Sequence, residues 1–226
     1  MSPEPIARTL SFAVGDVEVS GLLLAPTSPR HLYVLAHGAG AGMHHPFLET
    51  IARLLVPLGI ATLRYQFPYM EKRRKRPDAP KVAHSAVRAA VDLAAREIPG
   101  VPLLAGGKSF GGRMTSQAQA EAPLPGVRGL VFLGFPLHAP GKPGIERAEH
   151  LTRVEIPMLF LQGTRDDFAR LDLITEVAAH LSPRATLELV DGADHSFGVR
   201  KGAGRSSAEV MEGLASTVAE WADREA

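Results

Sequence analysis

The 226-residue chain contains no cysteine. Disulfides, thiolate metal sites and a cysteine nucleophile are thereby excluded, although the compartment is not fixed by this. Neither sign of charge is in excess: 25 Lys and Arg stand against 24 Asp and Glu, a formal net charge of +1. No whole-molecule field therefore argues for nucleic acid or an anionic membrane as partner. No apolar run approaches the roughly 20 residues of a membrane span. The opening MSPEPIARTLSFAVGDVEVS has none of the apolar core of a signal peptide. Repeats and low-complexity linkers are also missing, so one soluble, cytoplasmic domain over 1–226 is expected. Hydrophobic residues at 45% and charged residues at 22% are ordinary globular values. A chain of this length can bury roughly 70% of its unfolded surface, enough for one large core.

What is present is a regular alternation of elements. Ala7 to Ala25 alternates apolar and polar residues around Gly15-Asp16 and reads as two short strands joined by a hairpin turn. Dense apolar runs at Leu32 to Ala36, Ile60 to Tyr65, Val101 to Ala105, Val127 to Leu133, Met158 to Gln162 and Thr186 to Val190 read as buried strands. Between and after them, helical spacing covers Pro46 to Leu58, closed by Gly59, then Lys81 to Ile98, Arg113 to Glu121, Leu171 to Leu181 and Ser207 to Ala222. Strand and helix in turn predict an α/β fold. Its sheet is mostly parallel, with about seven or eight strands and helices on both faces, and the N-terminal hairpin forms an antiparallel edge. Met70 to Pro80, with the run Lys72-Arg73-Arg74-Lys75-Arg76, reads as a loop.

The stretch Gly106-Gly107-Lys108-Ser109-Phe110-Gly111-Gly112 fits two motifs. As a phosphate-binding loop, G-x-x-x-x-G-K-[ST], it needs a glycine where Pro102 stands, inside a predicted strand and without an N–H. As a nucleophile elbow, G-x-S-x-G, it needs a strand before, a helix after and small residues about the turn. All three are present. Gly107 and Gly111 flank Ser109, and Gly106 and Gly112 add slack.

A serine needs a base to take its proton and an acid to hold that base in one tautomer. Gly163-Thr164-Arg165-Asp166-Asp167 follows the strand ending at Gln162, and Ala193-Asp194-His195-Ser196-Phe197 follows the strand ending at Val190. Ser109, a carboxylate and His195 thus lie just beyond three strands in the order that an α/β-hydrolase elbow requires. Asp166 and Asp167 both fit the acid by position, and Asp194 reads as a loop residue that caps or orients. An oxyanion hole needs two backbone N–H groups. One is expected from Phe110 and the other from Ala39, with Gly40 as the alternative, in the loop His37-Gly38-Ala39-Gly40-Ala41-Gly42. His37 reads as a support of that loop.

The strand-ending HGAGAG, the elbow GGKSFGG, GTRD and ADHSF together resemble an α/β-hydrolase of the dienelactone-hydrolase-like group, in its small branch of uncharacterised hydrolases. The resemblance covers nearly the whole chain. It implies that the acid is the aspartate of GTRD, here Asp166. Dienelactone hydrolases proper use a cysteine nucleophile where this chain has Ser109, so their substrate class does not transfer.

The expected activity is that of a serine hydrolase, a carboxylesterase for small or short-acyl esters, with no metal and no organic cofactor. A thioesterase or lysophospholipase with the same triad is the alternative. A non-enzymatic module that binds a partner through the basic loop is the rival class. Adjacent His44 and His45 have no third ligand at suggestive spacing. The stretch 134–155 is too short for a large cap domain, so an open pocket is expected, with Leu137 and His138 as candidate lining. Arg73, Arg74 and Arg76 are candidates to bias it toward anionic substrates. The partner is a small-molecule ester, not nucleic acid or membrane, and the chain is a monomer or homodimer.

Overall fold

The computed structural model describes residues 4–200 and 204–226. The N-terminal hairpin pairs β1 (Ile6–Val14) with β2 (Val17–Ala25), Val14 opposite Val17, so Gly15 and Asp16 alone make the turn. Gly15 has φ +58°, which a residue with a Cβ rarely adopts. Then follow β3 (His31–Ala36), α1 (Pro46–Leu55), a 3₁₀ turn at Val56–Leu58, β4 (Ile60–Tyr65), α2 (Pro68–Glu71), α3 (Pro80–Glu97), β5 (Leu103–Lys108), α4 (Phe110–Glu121) and β6 (Val127–Leu133). A 3₁₀ helix at Glu146–Arg153, β7 (Met158–Gly163), α5 (Leu171–His180), β8 (Ala185–Val190) and α6 (Ser207–Glu225) complete the order.

The eight strands form one sheet in the order β1-β2-β4-β3-β5-β6-β7-β8. Strands β3 to β8 pair in parallel, and β2 alone runs against them, antiparallel to both β1 and β4. Both faces are covered, and β3 shows why its sequence is continuously apolar. Leu32, Val34 and Ala36 join the core that also holds Ala83, Val87 and Val91 of α3. Tyr33 and Leu35 join the opposite core with Leu48 and Ile51 of α1 and Trp221 of α6. A strand buried on both sides carries no polar face to alternate.

Several local features differ from expectation. β5 runs on through Gly106 and Gly107 to Lys108, because Gly106 pairs with Val131 and Gly107 with Ala36 in the parallel ladder. Accordingly α4 begins at Phe110 rather than Arg113. Gly106 and Gly112 are not slack: a Cβ on Gly106 would lie 1.9 Å from the Val131 oxygen, and one on Gly112 2.8 Å from the Gly107 oxygen. The segment expected as loop from Met70 begins inside the helical turn α2, and the segment 134–155 contains the 3₁₀ helix.

Candidate active site

Ser109 is the hinge between β5 and α4, with φ +50° and ψ −114°. A non-glycine residue in that region is strained, and such strain concentrates where a side chain must be presented. The turn closes because its neighbours lack side chains. A Cβ on Gly107 would stand 2.1 Å from the Ala36 oxygen, and one on Gly111 2.6 Å from the His37 oxygen.

The Ser109 hydroxyl lies 2.8 Å from His195 Nε2, and His195 Nδ1 lies 2.7 Å from Asp166 Oδ2. A carboxylate only accepts, so Nδ1 carries the ring proton and Nε2 is free to accept the serine proton. Asp166, which meets His195, is buried, whereas Asp167 is exposed. The Asp166 carboxylate is fully engaged: Oδ1 accepts the Phe168 N–H at 2.8 Å and Oδ2 also accepts from Gln162 Nε2 at 2.5 Å. Asp194 accepts from the Ser196 and Gly198 N–H groups and shapes the turn that carries His195.

The loop after β3 is set by His37. Its Nδ1–H donates to the Gly38 carbonyl at 2.7 Å and its Nε2 accepts the Phe67 N–H at 3.1 Å. Burial pushes its pKa down to about 4, outweighing the opposing bond to Gly38, so the ring is neutral and the tautomer single. The Gly38 carbonyl also accepts the Ala41 N–H. In a trans peptide the N–H points opposite to the C=O. The Ala39 N–H is therefore aimed away from these donors, and Ala39 lines the cleft beside Ser109. Among the described residues it has no acceptor, nor does the N–H of Phe110, the first residue of α4. The Gly40 N–H is not available in the same way, because it donates to the Tyr69 hydroxyl at 2.8 Å.

The cleft is about 320 Å³ and is lined by Ala39, Phe47, Lys108, Ser109, Phe168 and His195, among others. The five expected lining residues are not there. Leu137 is fully buried in the core. His138 is a strut: its ring accepts the Arg170 N–H at 2.9 Å and donates to the Ala139 carbonyl, pinning the loop that carries Asp166. Arg73, Arg74 and Arg76 are exposed, line no part of the cleft and form no ion pair among the described residues. That loop projects outward because its backbone folds on Tyr69, with the Arg74 N–H on the Tyr69 carbonyl and Asp78 accepting the Tyr69 N–H. His45 accepts the Phe47 N–H at the start of α1.

Three residues at the site escaped the sequence reading. Gln162 looks like the last residue of an apolar strand, and a buried amide there was the available signal. Phe168 tilts over the His195 ring at 4.3 Å between centroids. Lys108 occupies a variable position of G-x-S-x-G and carries no motif signal of its own. A second serine–histidine contact exists elsewhere, Ser116 to His150 at 2.7 Å. Ser116 is completely buried, and no carboxylate bonds to His150 among the described residues.

The model of a family described as an alpha/beta hydrolase domain matches residues 29–223. A Mycobacterium tuberculosis protein provisionally named a phosphoribosyl transferase is 30% identical over 192 residues, covering 83% of this chain and 41% of its own length. The chain thus spans less than half of that relative. A dienelactone hydrolase from Anabaena variabilis has a similar structure at 22% identity, with TM-score 0.78 and 99% of each chain covered. So does a Xanthomonas campestris protein described as an α/β serine hydrolase without lid, at 21% identity and TM-score 0.73, covering 96% of this chain and 95% of that one.

Proposed function

The chain belongs to the alpha/beta hydrolase domain family, and from that membership we propose that it is a serine hydrolase cleaving small, short-acyl carboxylic esters through an acyl-enzyme. The observation that carries this is the unbroken chain from Ser109 through His195 to buried Asp166, beside two backbone N–H groups with no acceptor among the described residues. Ser109 attacks the ester carbonyl as its proton passes to His195 Nε2. Asp166 keeps the ring in the required tautomer and stabilises the imidazolium. The oxyanion receives the N–H groups of Phe110 and Ala39, each worth about 3 kcal/mol in sites of this kind. His195 then protonates the departing alcohol and activates the water that clears the acyl group.

The size of the substrate follows from the cleft. About 320 Å³ is near the lower end of ligand pockets, and among the described residues no large cap is built over it. The 3₁₀ helix at Glu146–Arg153 packs on α4 through the His150–Ser116 contact instead of reaching across the opening. The transferase name of the mycobacterial relative describes a chain of which this one spans 41%, so it is not carried over.

A fluorophosphonate probe tests the nucleophile without presuming a substrate. Wild type should label once per chain, and Ser109→Ala and His195→Ala should not. A p-nitrophenyl ester series should then peak at two to four acyl carbons, faster than the matching thioesters. Folded wild-type protein that resists the probe would overturn the assignment.

A further inference from the structure

Lys108 is the residue immediately before Ser109, and its side chain does not leave the site. Its ammonium donates to the backbone carbonyl of His195 at 2.6 Å, bridging positions 87 apart in sequence. Gly134 makes the room for it: a Cβ there would lie 2.9 Å from Lys108 Nζ and 3.5 Å from His195 Nδ1. The ammonium therefore sits alongside the ring that receives the serine proton. Its other neighbours are the faces of Phe47 and Phe197, at 5.8 Å and 5.5 Å, which attract a cation without neutralising it. No carboxylate lies within ion-pair distance among the described residues.

We propose that Lys108 is a positioning residue, a charged brace that ties the nucleophile turn to the histidine loop and holds the Ser109–His195 contact. This rests on the serine-hydrolase reading of the site. The two loops leave different strands, β5 and β8, which are not neighbours in the sheet. Several contacts hold the His195 turn. Asp194 shapes it internally, the Arg165 N–H reaches the Ala193 carbonyl from the loop after β7, and Lys108 alone reaches it from the residue next to the nucleophile. A charge-assisted bond is about twice as strong as a neutral one, so the brace is strongest while the amine is protonated. Burial brings the Lys108 pKa down to about 8, with Asp166 and Asp194 opposing. The titratable and charged groups around it are those two carboxylates and His195, with His45 also lining the cleft.

The test measures the fluorophosphonate labelling rate and ester turnover of Lys108→Met and Lys108→Arg from pH 6.5 to 9.5, beside urea midpoints. Lys108→Met should lower labelling and kcat roughly 10- to 100-fold, as loss of a charged hydrogen bond implies, with KM changed less than threefold. The wild-type rate should fall as pH rises through about 8, whereas Lys108→Arg, which stays charged, should hold its rate across that range. Wild-type labelling by folded Lys108→Met overturns the inference. If that variant does not fold, an alkaline fall in Lys108→Arg identical to wild type overturns it equally. Failure of wild type to label at all instead removes the hydrolase reading beneath it.

Discussion

The Gly40 amide donates to the Tyr69 hydroxyl at 2.8 Å, so a tyrosine beyond β4 fixes the loop beyond β3. Tyr69→Phe removes the acceptor and leaves that loop held by His37 and Gln66, whose side-chain oxygen accepts the Met43 N–H. One hydrogen bond contributes about 1 kcal/mol, so labelling of Ser109 should slow roughly fivefold. A wild-type rate would mean that the loop keeps its shape without the tyrosine.

Asp166→Asn should lower kcat by about 10³- to 10⁴-fold, because an amide in that place no longer demands the Nδ1–H tautomer. Asp167→Asn, on an exposed side chain, should stay within twofold of wild type. Steady-state kinetics of the pair decide the acid, and comparable losses in both would contradict the assignment.

Gly111 and Gly213 make a matched pair of helical glycines. A Cβ on Gly111 meets the His37 oxygen at 2.6 Å and the Ala36 carbonyl carbon at 2.7 Å, both backbone. Gly111→Ala should therefore cost about 3 kcal/mol or more in urea unfolding. At Gly213, on the exposed face of α6, nothing lies within 4 Å. Gly213→Ala should stabilise by about 0.5–1 kcal/mol. A harmless Gly111→Ala would show that β3 and α4 can separate freely.

Acid should weaken the fold in a defined window. His37 and His150 both titrate near 4, chiefly because burial disfavours their charged forms; for His150 the nearby Arg153, Arg113 and His84 add to this. Between about pH 4 and pH 6.5 the unfolded chain binds more protons than the folded one, so stability is complete above 6.5 and lost as pH falls to about 4. For His37 the loss amounts to roughly 3 kcal/mol. Urea midpoints at pH 7.5 and pH 4.5 should differ accordingly, and His150→Gln should reduce the difference. Equal midpoints would refute this.

The frame was legible because each chemistry-bearing residue follows a short apolar run. Leu133 and Val190 end strands where periodicity placed them, β7 runs one residue past Gln162, and the side chains of Ser109, Asp166 and His195 meet beyond their strands. Short-range geometry was not legible. Gly106 sits in β5 because of Val131 across the ladder, a contact between residues distant in sequence. Leu137 and His138 follow β6 just as lining residues would, yet packing turns Leu137 into the core and the Arg170 N–H captures His138. Lys108 carries no pattern of its own, since its meaning lies in a carbonyl on another loop.

The buried Ser116–His150 contact matters to any count of working molecules. It has the hydroxyl and the imidazole at 2.7 Å, but Ser116 is sealed inside the protein. A bulky phosphonylating reagent meets a single reachable serine–imidazole pair among the described residues, so the mass added per chain reads directly as the fraction of chains that are competent. Ser116 is in effect an internal blank, a like-for-like hydroxyl in the same molecule that is sealed away while the fold holds and loses its imidazole partner when the fold opens.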